Sequence, residues 1–186
     1  MSPWLTAPRA ATNDAPPKQE SRGAMQHEAA LHDFDFLIGR WKVHHRRLKD
    51  RFAGSKDWVE FEGTTEMRKV LGGHGNMDDN VLTVPADPYR AVTLRAFDEK
   101  TRQWSIWWLD GRTPSGSLEP AVRGRFKDGI GEFYADDTFK GRPIRVRFIW
   151  SHMTASSARW EQAFSADQGK TWEVNWVMEF QRVGEM

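Results

Sequence analysis

The sequence has no cysteine, which excludes disulfides, cysteine-ligated zinc and a thiol nucleophile. It also lacks a dominant charge. Against 27 Lys and Arg stand 26 Asp and Glu, a formal net charge of +1, so no global field draws the chain to nucleic acid or to an anionic membrane. The one basic run, HHRRLKDR at 44–51, alternates in a way that suits the end of a strand. No apolar stretch is long enough to span a bilayer as a helix, and MSPWLTAPRAATNDAPPK lacks the apolar segment of a secretory signal. These absences lead us to expect a cytoplasmic protein with neither nucleic acid nor membrane as partner.

Indole is what the sequence has in excess. Ten Trp and 11 Phe stand against 2 Tyr among 186 residues, more indole than a core of this size requires. Such rings can fill a barrel or line a pocket for a flat ligand. The stretch SADQGKTW at 165–172 carries the S-x-D-x-G-x-T-W box found in sialidases and other β-propeller glycosidases. A propeller repeats this unit blade after blade, and here it occurs once, so we read it as a hairpin connector. Asp167 can bond its own turn backbone, Gly169 can supply positive φ, and Trp172 can pack over the turn.

Residues 1–26 are rich in Ala, Pro and small polar side chains without periodicity, and are expected to form a disordered extension ahead of one domain at 27–186. In HEAALHDFDFLIG, Ala30, Leu31, Phe34, Leu37 and Ile38 fall at helical spacing, predicting a helix over 27–38 that Gly39 ends. From there the period becomes two. Segments at 40–49, 58–71, 74–84, 91–98, 102–110, 121–127, 130–137, 142–152, 158–164 and 170–180 give about ten strands with mostly short connections. So long a meander with one apolar face buries it best by closing on itself. The expected fold is all-β: an antiparallel up-and-down β-barrel, plugged at one end by the helix.

FLIGRW after a helix, with Gly39 and Trp41 opening the first strand, resembles the Gly-x-Trp start of the calycins, the superfamily of lipocalins, fatty-acid-binding proteins and nitrobindins. FDFLIGRWKV, LGGHGNMDD and SADQGKTWEVNWVMEF together are similar to a bacterial lipocalin-like domain of unknown function, over about residues 30–182. The resemblance implies an internal cavity. Nitrobindins bind haem through a late-strand histidine, for which this chain offers His152; no cofactor is otherwise expected.

Strand parity places the loops 50–56, 85–89, 110–120, 138–142 and the Asp-box turn together at the end opposite the helix, which should be the open mouth. Of these, DGRTPSGSLEP is the longest and the natural lid. His74 and His152 count to the plugged end. Counting faces from the apolar residues selects His45 beyond Trp41 and Val43, Asp110 beyond Trp108, Tyr134 beyond Ile130 and His152 beyond Trp150. In the third strand either His74, Asn76, Asp78 and Asn80 face inward, with Arg95 opposite as countercharge, or Met77 and Val81 do. An inward polar set would need partners, since each unpaired buried group costs on the order of 1–3 kcal/mol.

No histidine has the spacing of a metal motif, and none is expected to bind metal. The primary reading is a protein that binds a small hydrophobic or planar aromatic molecule between Trp108, Trp150 and Trp176, oriented by Arg95, Tyr134 and a histidine. The alternative is a cofactor-free lyase or isomerase using cavity His, Asp, Arg and Tyr for proton transfer, with a general-base pair such as His74 with Asp78 or His45 with Glu66. A homodimer stays open.

Overall fold

Wherever apolar residues recur every second position, the chain forms a strand. In a computed structural model that describes residues 29–116, 118 and 120–185, the strands are β1 (Gly39–Leu48), β2 (Trp58–Val70), β3 (Gly75–Leu82), β4 (Tyr89–Asp98) and β5 (Gln103–Asp110), followed by β6 (Val122–Lys127), β7 (Ile130–Phe139), β8 (Arg142–Ser151), β9 (Ser157–Ser165) and β10 (Glu173–Gly184). Each pairs antiparallel with its neighbours in sequence, and β1 pairs with β10 to close the barrel. The extension expected at 1–26 lies outside the described residues. No described helix is long and apolar enough to cross a membrane.

The predicted helix tightens toward its C-terminal end. Among the described residues it is α-helical at 29–31 and passes through a turn into a 3-10 turn, Asp35–Leu37. Packing against the barrel end sets that shape. Phe34 enters the barrel end and meets Trp104 and Phe126 edge-on, each at 5.0 Å. The carbonyls this turn leaves open are then taken up by the wall. Trp104 Nε1 donates to Ala30 O at 3.0 Å, Trp41 Nε1 to Leu37 O at 2.8 Å, and Arg182 to the carbonyls of Phe36 and Ile38. Packing and hydrogen bonding thus fix the plug together.

Two irregularities shape the other end. β6 is short, pairing with β5 only from Trp104 to Ile106 and with β7 only as far as Tyr134. The halves of β5 and β7 nearer the mouth therefore have no β6 residues between them. In β10 the register slips between Val174 and Trp176, a bulge that buries Asn175, which accepts a hydrogen bond from Gln162 Nε2 at 2.8 Å. The extra residue reverses the phase upstream. Trp172, which plain alternation puts on the face of Trp176, instead lies outside, 6.1 Å from Tyr134 and beneath the Arg147 guanidinium.

The Asp box is a turn built around one carboxylate. Asp167 accepts from Thr171 Oγ1 at 2.6 Å, from the Thr171 N–H at 2.9 Å and from Ser165 Oγ at 2.7 Å, and these bonds hold its pKa well below the usual carboxylate range. Gly169 stands at φ +89°, and a Cβ there would come within 3.3 Å of the Trp172 ring. Gly169→Val should lower the thermal midpoint without changing the circular dichroism of the folded protein; an unchanged midpoint would remove this turn from the determinants of stability. Phe34→Ala should cost about 3–5 kcal/mol in denaturant unfolding, as other buried aromatic truncations do. A loss under about 1 kcal/mol would show that the plug contributes little.

Candidate functional site

The polar set of β3 faces inward. Asn76 and Asp78 are buried, and Asn80 lines the interior beside them, while Asp79 points to solvent and pairs with Arg90. The interior carboxylate is fully engaged. Asp78 Oδ2 accepts from Arg95 Nη1 at 3.0 Å, and Oδ1 accepts from the Thr93 N–H at 3.0 Å and Asn80 Nδ2 at 2.9 Å. Arg95 Nη1 also reaches Asn76 Oδ1 at 3.2 Å, and its guanidinium lies over Phe34 and Trp150, 5.2 and 5.8 Å from the ring centroids. The pair is electrically neutral as a unit. Two donors are left over: among the described residues the buried Arg95 Nε and Trp150 Nε1 have no hydrogen-bond partner.

Against this polar end stands a continuous aromatic wall. Phe148 meets Trp160 at 4.8 Å, Trp160 meets Trp176 at 5.7 Å, and Trp176 meets Trp108 at 6.0 Å, each edge to face. Together with Ile106, Val122, Ala135 and Val146 they enclose a cavity of about 170 Å³. An apolar cavity of about 150 Å³ holds benzene, so this space takes one small ring system.

His45 supports that wall from outside the cavity. Its ring is buried, stacks on Phe61 at 4.6 Å, and accepts a hydrogen bond at Nδ1 from Trp176 Nε1 at 3.2 Å. An Nδ1 that accepts leaves the proton on Nε2. Burial first, then the nearby charges of Arg47 and His44, push its pKa down to about 3, so the ring stays neutral and keeps accepting.

Toward solvent, the barrel opens into a second space of about 430 Å³ which shares Trp108 and Trp176 with the cavity. Arg47, Arg51, Tyr89, Asp110 and Arg112 border it. Asp110 is held by Arg112 at 2.7 Å, and Arg112 also reaches Asp87 at 3.1 Å.

Of the residues selected from the sequence, Asp78, Arg95, Trp108, Trp150 and Trp176 line the cavity, with Asn76 bonded to Arg95 behind them. His45 lies behind Trp176, and Asp110 at the mouth. Three stand elsewhere. Tyr134 is on the outer face, donating to Glu132 at 3.0 Å, because the inward residues of β7 are Phe133, Ala135 and Asp137; the exposed Ile130 had suggested the opposite phase. His74 precedes β3 in a short helical turn and pairs with Glu99 at 2.8 Å in solvent. His152 follows the end of β8 at φ +52°, exposed and bonded to Ser151 Oγ, so it offers no haem ligand to the cavity. Sequence reasoning passed over Thr93, Asp137, Phe148, Trp160 and Gln162, all of which line the cavity. Alternation from Trp150 and from Trp160 would have found Phe148 and Gln162.

The pKa of His45 yields a test of stability against pH. Because the folded value lies below that of the unfolded chain, its contribution is complete above about pH 6.5 and is lost as pH falls toward 3, by up to about 1.4 kcal/mol per unit. Asp33 acts with the opposite sign. Burial raises it to about 6, so its contribution is present at low pH and lost as pH rises through 6. Thermal midpoints of the wild type and His45→Gln should therefore converge as pH drops from 7 to 4.5. Parallel curves would show that His45 titrates normally.

No family model matches this chain, and no curated protein matches it. Among solved structures it is similar to an S-type phycobiliprotein lyase from Guillardia theta, with a TM-score of 0.57 and 10% sequence identity over 91% of this chain and 100% of that one. At that identity the likeness speaks for the fold, and the chain is a ten-stranded closed barrel of calycin-like form.

Proposed function

We propose that the protein binds a small hydrophobic or planar aromatic molecule in the barrel. The observation that carries this reading is the cavity itself, walled by four edge-to-face aromatic rings, with Arg95 and Trp150 also in its lining. A core that served only stability would gain by filling the space. A flat apolar ring complements that wall.

The lyase or isomerase alternative would use the same space, and the barrel of similar fold is called a lyase. Of the acid and base groups it would use, Asp78 and Arg95 line that space and are bonded to each other, and Asp137 also lines it. Tyr134, His74 and His152 lie outside, Glu66 is exposed on the outer face of β2, and His45 Nδ1 is engaged by Trp176. We therefore favour binding.

Titration with 1-naphthylamine should change indole fluorescence saturably, with one site per barrel. Trp150→Phe should weaken binding several-fold while lowering stability by no more than about 1.5 kcal/mol, since it keeps most of the buried ring. Ala135→Phe should abolish binding by occupying the cavity. Saturable binding untouched by Ala135→Phe would place the ligand outside the barrel.

A further inference from the structure

The charge of the interior and the charge of the mouth are balanced differently. In the interior Arg95 is matched by Asp78. At the mouth, Arg47, Lys49, Arg51, Arg112 and Lys140 stand with Asp50 and Asp110 in the lining and Asp87 and Glu173 beside it, and Asp110 and Asp87 are both held by Arg112. Among the described residues, neither Arg47 nor Arg51 has a carboxylate at ion-pair distance. Glu173, which acts on Arg51 through space, accepts from the Phe52 N–H with both of its oxygens, at 2.9 and 3.0 Å.

Both arginines are nevertheless held in place. Arg47 lies over the rings of Phe61 and Trp176, 5.3 and 5.5 Å from their centroids, and reaches Tyr89 Oη at 3.4 Å. Arg51 lies over Phe139 and Phe164, 5.8 and 5.2 Å from theirs. Each is partly buried, and each lowers the cost of ordering a bound group because its own freedom is already restricted. Both border the same space, and burial first, then the charge of Arg47, lower the Arg51 pKa from its usual value; an anion beside both would offset that repulsion. The mouth and the cavity meet at Trp108 and Trp176.

We infer that the mouth is an anion subsite, and that the ligand is an aromatic acid, a carboxylate, sulfonate or phosphate on one or two rings, bound ring inward with its acidic group between Arg47 and Arg51. The inference rests on the cavity reading and adds to it an orientation. The sequence had suggested Arg95 as the partner of an anionic ligand; its neutralisation by Asp78 moves that role to the rim.

Two probes with one skeleton test it: 8-aminonaphthalene-1-sulfonate and 1-naphthylamine, which lacks the sulfonate. The wild type should bind both, the sulfonate at least tenfold more tightly, and rising NaCl should erode only the sulfonate's advantage. Arg47→Gln with Arg51→Gln should bring the two affinities within about twofold, while Arg47→Lys with Arg51→Lys retains most of the preference. Asp78→Asn with Arg95→Gln, which removes both interior charges, should leave the ratio between probes unchanged. A ratio that survives the glutamine pair at the mouth, or collapses only when the interior pair is replaced, overturns the orientation while leaving the cavity reading standing. If the amine fails to bind the wild type at all, the cavity reading falls and the anion subsite with it. The salt dependence needs no variant and stands even if a replacement impairs folding.

Discussion

Everything in this barrel depends on the pairing of β1 with β10. That seam leaves no unpaired edge between the first and last strands and gives each strand one face that water reaches and one that it does not. It also brings together residues more than a hundred positions apart. Arg47 stands opposite Trp176 and His45 opposite Met178, which puts the His45 ring within hydrogen-bonding distance of the Trp176 indole and the Arg47 guanidinium over its face. A slip of one residue here would turn these side chains to solvent and leave the aromatic wall without its anchor. The seam thus couples barrel closure to the geometry of the cavity.

Inside, a second constraint follows from the first. A closed barrel has room for a charged cluster only if its members satisfy one another, and Asp78 does this by gathering Arg95, Asn80 and a backbone N–H around its two oxygens. The cluster contributes polarity without net charge. Arg47 and Arg51, paired with no carboxylate among the described residues, sit at the rim, where solvent reduces the cost of holding their charge. Polarity deep and charge at the entrance give the cavity a direction.

The strands were legible because period-two alternation is local and strong: the ten segments read from the sequence correspond to the ten strands, with boundaries differing by a few residues. The Asp-box turn was legible for a similar reason, its bonds running among residues 165–171. Phase was harder to read than period. Ile130 is apolar yet exposed, so a count begun there put Tyr134 inside; the bulge at Asn175 reversed the face of Trp172; and counts extended past strand ends carried His74 and His152 inward although the chain had already turned. Each of these errors arises where a strand starts, stops or gains a residue, because alternation carries no record of such events.

The sequence by itself determined the class of fold, since no disulfide, metal motif or membrane helix competes with a long meander that must bury one face, and it determined that this face would be rich in indole. Only the tertiary structure decided which face of β3 turns inward. Both of its faces carry acidic and other side chains, and what separates them is a partner on another strand: Arg95 on β4 completes Asp78, while Asp79 finds Arg90 in solvent. The size of the cavity and the division of charge between interior and rim were decided in the same way, by contacts between strands far apart in the chain, which no local pattern encodes.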